Sequence, residues 1–92
     1  MANSHLLPPE KTPLNQHSLA ALELWLHEIG AKRNFKDKSL WELDMPSWSA
    51  SIRMERNDLK IVWKKGEKQS QCIFSYGLPR KDVHDAMMEG PD

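Results

Sequence analysis

Apolar residues along the chain follow two spacings, and the switch between them divides it. Leu19, Leu22, Leu26 and Ile29 recur at steps of three and four with Trp25 beside them, the period of a helix with one apolar face. His17 or Ser18 stands where that helix needs a cap, and serine is the better capping type. Gly30 suits the left-handed position that closes a helix, and Lys32 and Arg33 follow its negative end. Leu24 lies off the stripe and widens it.

From residue 40 the period becomes two. Trp41, Leu43 and Met45 alternate with Leu40, Glu42 and Asp44 until Pro46, which cannot donate to a ladder. Trp48, Ala50, Ile52 and Met54 alternate with Ser49, Ser51, Arg53 and Glu55; Leu59, Ile61 and Trp63 with Lys60, Val62 and Lys64; and Cys72, Phe74 and Tyr76 with Gln71, Ile73 and Ser75. Each run reads as a half-buried strand. The connections Arg56-Asn57-Asp58 and Lys65-Gly66-Glu67-Lys68 are short, which makes neighbouring strands antiparallel. A second helix is predicted over about Pro79 to Met88, with Val83, Ala86 and Met87 on one face, Asp82 in its first turn and Gly90-Pro91 stopping it. The prediction is an α+β domain, a four-stranded antiparallel meander with an N-terminal and a C-terminal helix in the order α-β-β-β-β-α. Trp41, Trp48 and Trp63 share its apolar face, which the first helix must cover.

Residues 1–16 hold Pro8, Pro9 and Pro13 among polar neighbours and read as a mobile N-terminal arm ahead of a single domain over 17–91. Length agrees, since 92 residues with 39% hydrophobic and 28% charged residues make one small globular unit. The lone cysteine, Cys72, rules out an intrachain disulfide and a zinc site built on cysteines. No signal-peptide pattern opens the chain, and no apolar run approaches the ~20 residues that cross a bilayer. A cytoplasmic protein without membrane insertion is expected.

The segment Thr12-Pro13-Leu14-Asn15-Gln16-His17, then Trp25-Leu26 and Gly30, then Trp48-Ser49-Ala50, and finally Tyr76-Gly77-Leu78-Pro79-Arg80-Lys81-Asp82-Val83 with Gly90-Pro91, resembles a small family of cyanobacterial and plastid proteins of unknown function. The likeness runs from about Thr12 to Pro91 and rests on the ordered set of motifs. It departs at Pro79, where that family usually has serine, so a capping hydroxyl is missing from the start of the last helix. The resemblance implies an oxygenic phototroph and a soluble cytoplasmic protein, and it carries over no catalytic residue.

Candidate chemistry is sparse. His5, His17, His27 and His84 include no pair at helical metal-site spacing. Cys72 falls on the inward face of its strand, where a free cysteine behaves as a small hydrophobe. Asp82, Asp85 and Glu89 share a helical face of the kind that is ordinarily solvated. No phosphate loop or nucleophile elbow is present, so no enzyme activity, cofactor, metal or catalytic residue is expected.

Charge is more informative. The 13 basic and 13 acidic residues cancel, which argues against a chain devoted to coating polyanions. Within it, residues 56–81 carry seven cations against Asp58 and Glu67, a net +5, while residues 82–92 carry −4 from Asp82, Asp85, Glu89 and Asp92. By alternation Arg53, Lys60 and Lys64 point away from the tryptophans. Trp41, on what reads as an edge strand, is the tryptophan expected to be exposed, and an aromatic beside arginine is the usual make-up of a protein-binding hot spot. Trp41, Arg53, Lys60, Lys64 and Arg80 are the candidate binding surface. The leading expectation is a non-enzymatic protein-interaction domain, a monomer or weak dimer, that binds an unidentified protein by strand addition at a sheet edge, by its basic strand face or by the arm. The alternative is a weak RNA- or ribosome-associated protein using the basic segment, although RNA-binding sheets usually expose aromatics. A third reading joins His17, His84 and Cys72 in an enzyme or metal site.

Overall fold

The structure, a computed structural model, describes residues 7–91. Helix α1 spans Leu19–Glu28, and Ser18 Oγ caps it by accepting from the Ala21 amide at 3.0 Å. At its other end Gly30 takes φ +100°, while the Gly30 amide donates to His27 O and the Ala31 amide to Leu26 O. That is the paired closure of a Schellman motif, completed by the buried side chains of Leu26 and Ala31. The helix is rolled relative to the expected stripe. Trp25 and Leu26 are buried with Ala21, and Leu19 is left 62% exposed. An indole removes far more apolar area from water than a leucine, so Trp25 decides the roll.

The sheet has five strands rather than four: β1 (Lys32–Arg33), β2 (Leu40–Asp44), β3 (Ser49–Met54), β4 (Asp58–Lys65) and β5 (Lys68–Ser75), antiparallel in the order β1-β2-β3-β4-β5. The extra strand is two residues long, too short to show a period. It pairs Lys32 with Glu42 and Arg33 with Trp41, so β2 is not an edge. Trp41 is accordingly only 5% exposed, with the Arg33 guanidinium 5.1 Å above its ring. This corrects the expectation of an exposed Trp41. The β4–β5 turn has two residues, with φ +62° at Gly66 and a negative φ at Glu67, the glycine-first type II′ turn whose twist suits a hairpin.

Alternation sends Trp41, Leu43, Ala50, Ile52, Leu59, Ile61, Trp63 and Phe74 to one face, where all are buried. Leu14, Trp25 and Leu26 join them in one core, together with Val83 and Met87 of helix α2 (Arg80–Glu89). Two buried indoles find partners: Trp25 Nε1 donates to His84 Nδ1 at 3.3 Å and Trp63 Nε1 to Met87 O at 3.2 Å. Trp41 Nε1 is buried without one.

The second correction concerns the arm. Its first six residues lie outside the described residues, but residues 7–16 are docked on the domain. Leu14 is 1% exposed and sits in the core. Its amide donates to Leu78 O and that of Asn15 to Tyr76 O. Pro79 is the N-cap of α2 and makes no side-chain cap. The amides of Arg80 and Lys81 donate instead to Thr12 O at 3.0 Å and Glu10 O at 2.8 Å. The docked segment therefore does for α2 what a capping hydroxyl would do.

Leu14 provides the test of this docking. Leu14→Ala should lower unfolding stability by about 2–5 kcal/mol, the cost of emptying a buried leucine site. A urea titration that found no change would return residues 7–16 to a free arm.

Candidate functional site

Both helices and the docked segment pack on the tryptophan side of the sheet, so among the described residues no helix covers its other face. The register sets out that face row by row. Leu40, Arg53, Lys60 and Ile73 lie side by side, then Glu42, Ser51, Val62 and Gln71, then Asp44, Ser49, Lys64 and Gln69. Each is half-buried or exposed, and Ile73 is 54% exposed. A shallow depression of about 260 Å³ runs between Leu40, Ser51, Arg53, Lys60, Val62, Lys64 and Gln69. Three of the five expected surface residues, Arg53, Lys60 and Lys64, thus meet on one face. Trp41 lies on the opposite, buried side.

Arg80 is elsewhere. At the start of α2 its Nη1 donates to Pro8 O at 2.8 Å and contacts His17 Nε2 at 3.1 Å. A guanidinium can only donate, so His17 Nε2 accepts, and Nδ1 carries the proton that goes to Pro13 O at 2.9 Å. Partial burial, opposed by the Pro13 bond and reinforced by the Arg80 charge, lowers the His17 pKa from its ordinary 6.5. Arg80 and His17 form a latch on the docked segment. Both ring nitrogens of His17 are engaged there, and His84 Nδ1 accepts from Trp25. Cys72 stands on β5 opposite Ile61. Among the described residues no group of three or more His, Cys, Asp or Glu side chains is placed to hold a metal ion.

Arg53 is less free than Lys60 and Lys64. Its Nη1 donates to Asp37 Oδ2 at 2.7 Å and to Ser39 Oγ at 3.3 Å. Asp37 Oδ1 in turn accepts from the Ser39 amide and hydroxyl, and Asn34 Oδ1 accepts from the amides of Lys36 and Asp37. These bonds hold the loop between β1 and β2 in a fixed shape with Phe35 87% exposed at its tip. Phe35 belongs to no periodic run, so alternation gave no sign of it. The Arg53 hydrogen bond, helped by those from Ser39, brings the Asp37 pKa down from 3.8 to about 2.

A family model described as a protein of unknown function (DUF3143) matches residues 29–90, two thirds of the chain, from the end of α1 through α2. No curated protein and no solved structure matches the chain. No helix among the described residues is long and apolar enough to cross a membrane.

Acid acts on the two anchor points in separate windows. His17 takes up a proton more readily unfolded than folded, so the latch is fully stabilising above pH 6.5 and weakens as pH falls below it. Asp37 holds its charge longer when folded, so the loop anchor weakens between pH 3.8 and about 2. A carboxyl NMR titration should place Asp37 near 2 in the intact protein and move it up toward 3.8 in Arg53→Gln, with the Ser39 bonds still holding it below that value. An unchanged midpoint in the variant would show that Arg53 is not the anchor.

Proposed function

We propose that this chain, which belongs to the DUF3143 family of proteins of unknown function, is a non-enzymatic interaction module whose uncovered sheet face binds a partner protein. The observation that carries this reading is the one-sided covering of the sheet. A five-stranded sheet that sets both helices on one face leaves Leu40, Val62 and Ile73 on the other, between Lys60, Lys64 and the polar Ser51, Gln69 and Gln71. Small apolar areas ringed by charge suit a protein partner, because the apolar part supplies burial while the lysines set orientation and encounter rate. Arg53, already fixed by Asp37, presents a preset side chain that loses little freedom on binding.

The RNA-binding alternative has less support. The open face carries aliphatic and amide side chains where base stacking requires aromatic ones. Its charge is mixed, with Glu42 and Asp44 on β2 sharing the face with Lys60 and Lys64 on β4. The setting we propose is the cytoplasm of an oxygenic phototroph, supported by the motif resemblance and by the use of a single cysteine.

The test compares tagged wild type with Val62→Glu and with Lys60→Glu/Lys64→Glu as baits in source-cell lysate, each with and without nuclease. One protein should be recovered with wild type in both conditions and fall about tenfold with either variant, a loss of about 1.4 kcal/mol. Thermal midpoints should stay within a few degrees, since these side chains are outside the core. Recovery that depends on nucleic acid, or that ignores both variants, would overturn the assignment.

A further inference from the structure

The two edges of the sheet are unlike. One is β1, only two residues long and made of Lys32 and Arg33, the usual form of a protected edge. The other is β5, eight residues long, and no strand among the described residues pairs with its outer side. From Gln69 to Ser75 it contains no charge, no proline and no glycine, and its register with β4 is unbroken from Ser75 to Lys68. Charge, proline and bulge, devices that keep edges from pairing, are missing over this stretch.

The direction of each β5 backbone group follows from the turn. In a two-residue hairpin the closing pair, Lys65 and Lys68, exchanges both backbone bonds, and bonded pairs then alternate. Ser70, Cys72 and Phe74 therefore bond inward to β4. Gln69, Gln71 and Ile73 turn their N–H and C=O groups outward, with their side chains on the uncovered face. The Ser75 end is closed, because its carbonyl accepts from the Leu78 amide. The free stretch is short, regular and centred on Gln71.

We infer that β5 pairs antiparallel with β5 of a second copy about a two-fold axis at Gln71, forming one ten-stranded sheet. The three outward residues complement themselves: Gln71 faces Gln71 of the second copy, and Gln69 and Ile73 face each other twice. This register uses every free backbone group of the stretch, and such an isologous interface closes on itself. Charge selects the direction. Parallel pairing would set Lys68 on Lys68, whereas the antiparallel register places them six residues apart, about 20 Å. That is about two and a half Debye lengths at physiological salt, so the basic hairpins do not oppose assembly. The pairing also brings two copies of the Lys60–Lys64 face into one surface, but it does not depend on what that face binds.

A charge swap at the axis tests both the pairing and its register. Gln71 is exposed on an edge strand, so Gln71→Lys and Gln71→Glu leave the protomer fold intact, which thermal unfolding checks. Native mass spectrometry and sedimentation should find a concentration-dependent wild-type dimer, about tenfold weaker self-association in either variant, and a heterodimer restored when the two are mixed. In the wild type, amide exchange at Gln69, Gln71 and Ile73 should slow as concentration rises. A protein that remains monomeric at about 1 mM with these amides unprotected would overturn the inference. So would a dimer indifferent to Gln71→Lys, or variants whose mixture does not re-associate.

Discussion

The docking of residues 10–16 on the start of α2 is the contact that the rest of the arrangement needs. Pro79 offers the helix neither a hydroxyl cap nor an amide of its own, so the first free N–H groups of α2 would otherwise be satisfied by water alone. The Thr12 and Glu10 carbonyls reach two of them. Their reach depends on Leu14, which anchors the segment in the core between the strands and the helices, and on the grip of Arg80 on Pro8 and His17. Residues nearly seventy positions apart thus complete one helix terminus. With α2 fixed, Val83 and Met87 join the core, and the Met87 carbonyl accepts from the Trp63 indole. Removing that support would expose a buried N–H as well as apolar surface, and an unmet buried donor costs about 1–3 kcal/mol.

Among the described residues both helices are therefore on one side of the sheet, and this gives the other side its character. Along β3 and β4 the same alternation that buries Ile52, Leu59, Ile61 and Trp63 presents Arg53, Lys60, Val62 and Lys64 outward. The basic residues there differ in freedom. Arg53 is tied to the β1–β2 loop through Asp37, while Lys60 and Lys64 have no such anchor among the described residues. The tie links the face to Phe35, so one guanidinium positions the loop tip and contributes to the surface.

Strands were legible because period-two alternation is a direct record of a half-buried sheet. The facing of Arg53, Lys60 and Lys64 followed from it with no other information. β1 was not legible, since two residues carry no period, and the misreading of Trp41 as exposed followed from missing it. The docked segment was hidden for another reason. Three prolines and many polar residues suggest an arm, and its contacts are made by backbone carbonyls and one buried leucine, which leave no pattern in composition. Arg80 looked like one more cation of a basic segment; only the fold shows it turned toward Pro8 and His17. Phe35 is a single aromatic in a polar loop, and its exposure depends on a network that starts at Asn34.

The placement of charge on the last hairpin separates two surfaces that lie side by side. Lysines are concentrated on β4 and at the turn, at Lys60, Lys64, Lys65 and Lys68, whereas β5 beyond Lys68 has none. On β4 a lysine points out of the sheet plane and leaves the backbone ladder undisturbed, because both sides of that strand are already paired. On β5 a lysine would sit beside the unpaired amides and discourage another strand from approaching. Charge is thus carried by the neighbouring strand and the turn, and the edge is neutral. A sheet designed only to stay apart from its copies would put the charge where the free hydrogen-bonding groups are, at Gln69, Gln71 and Ile73, as it does at Lys32 and Arg33 on the opposite edge. The two edges thus differ in kind: β5 presents uncharged, unpaired backbone groups, β1 presents two cations, and the face beside β5 carries its lysines out of the sheet plane.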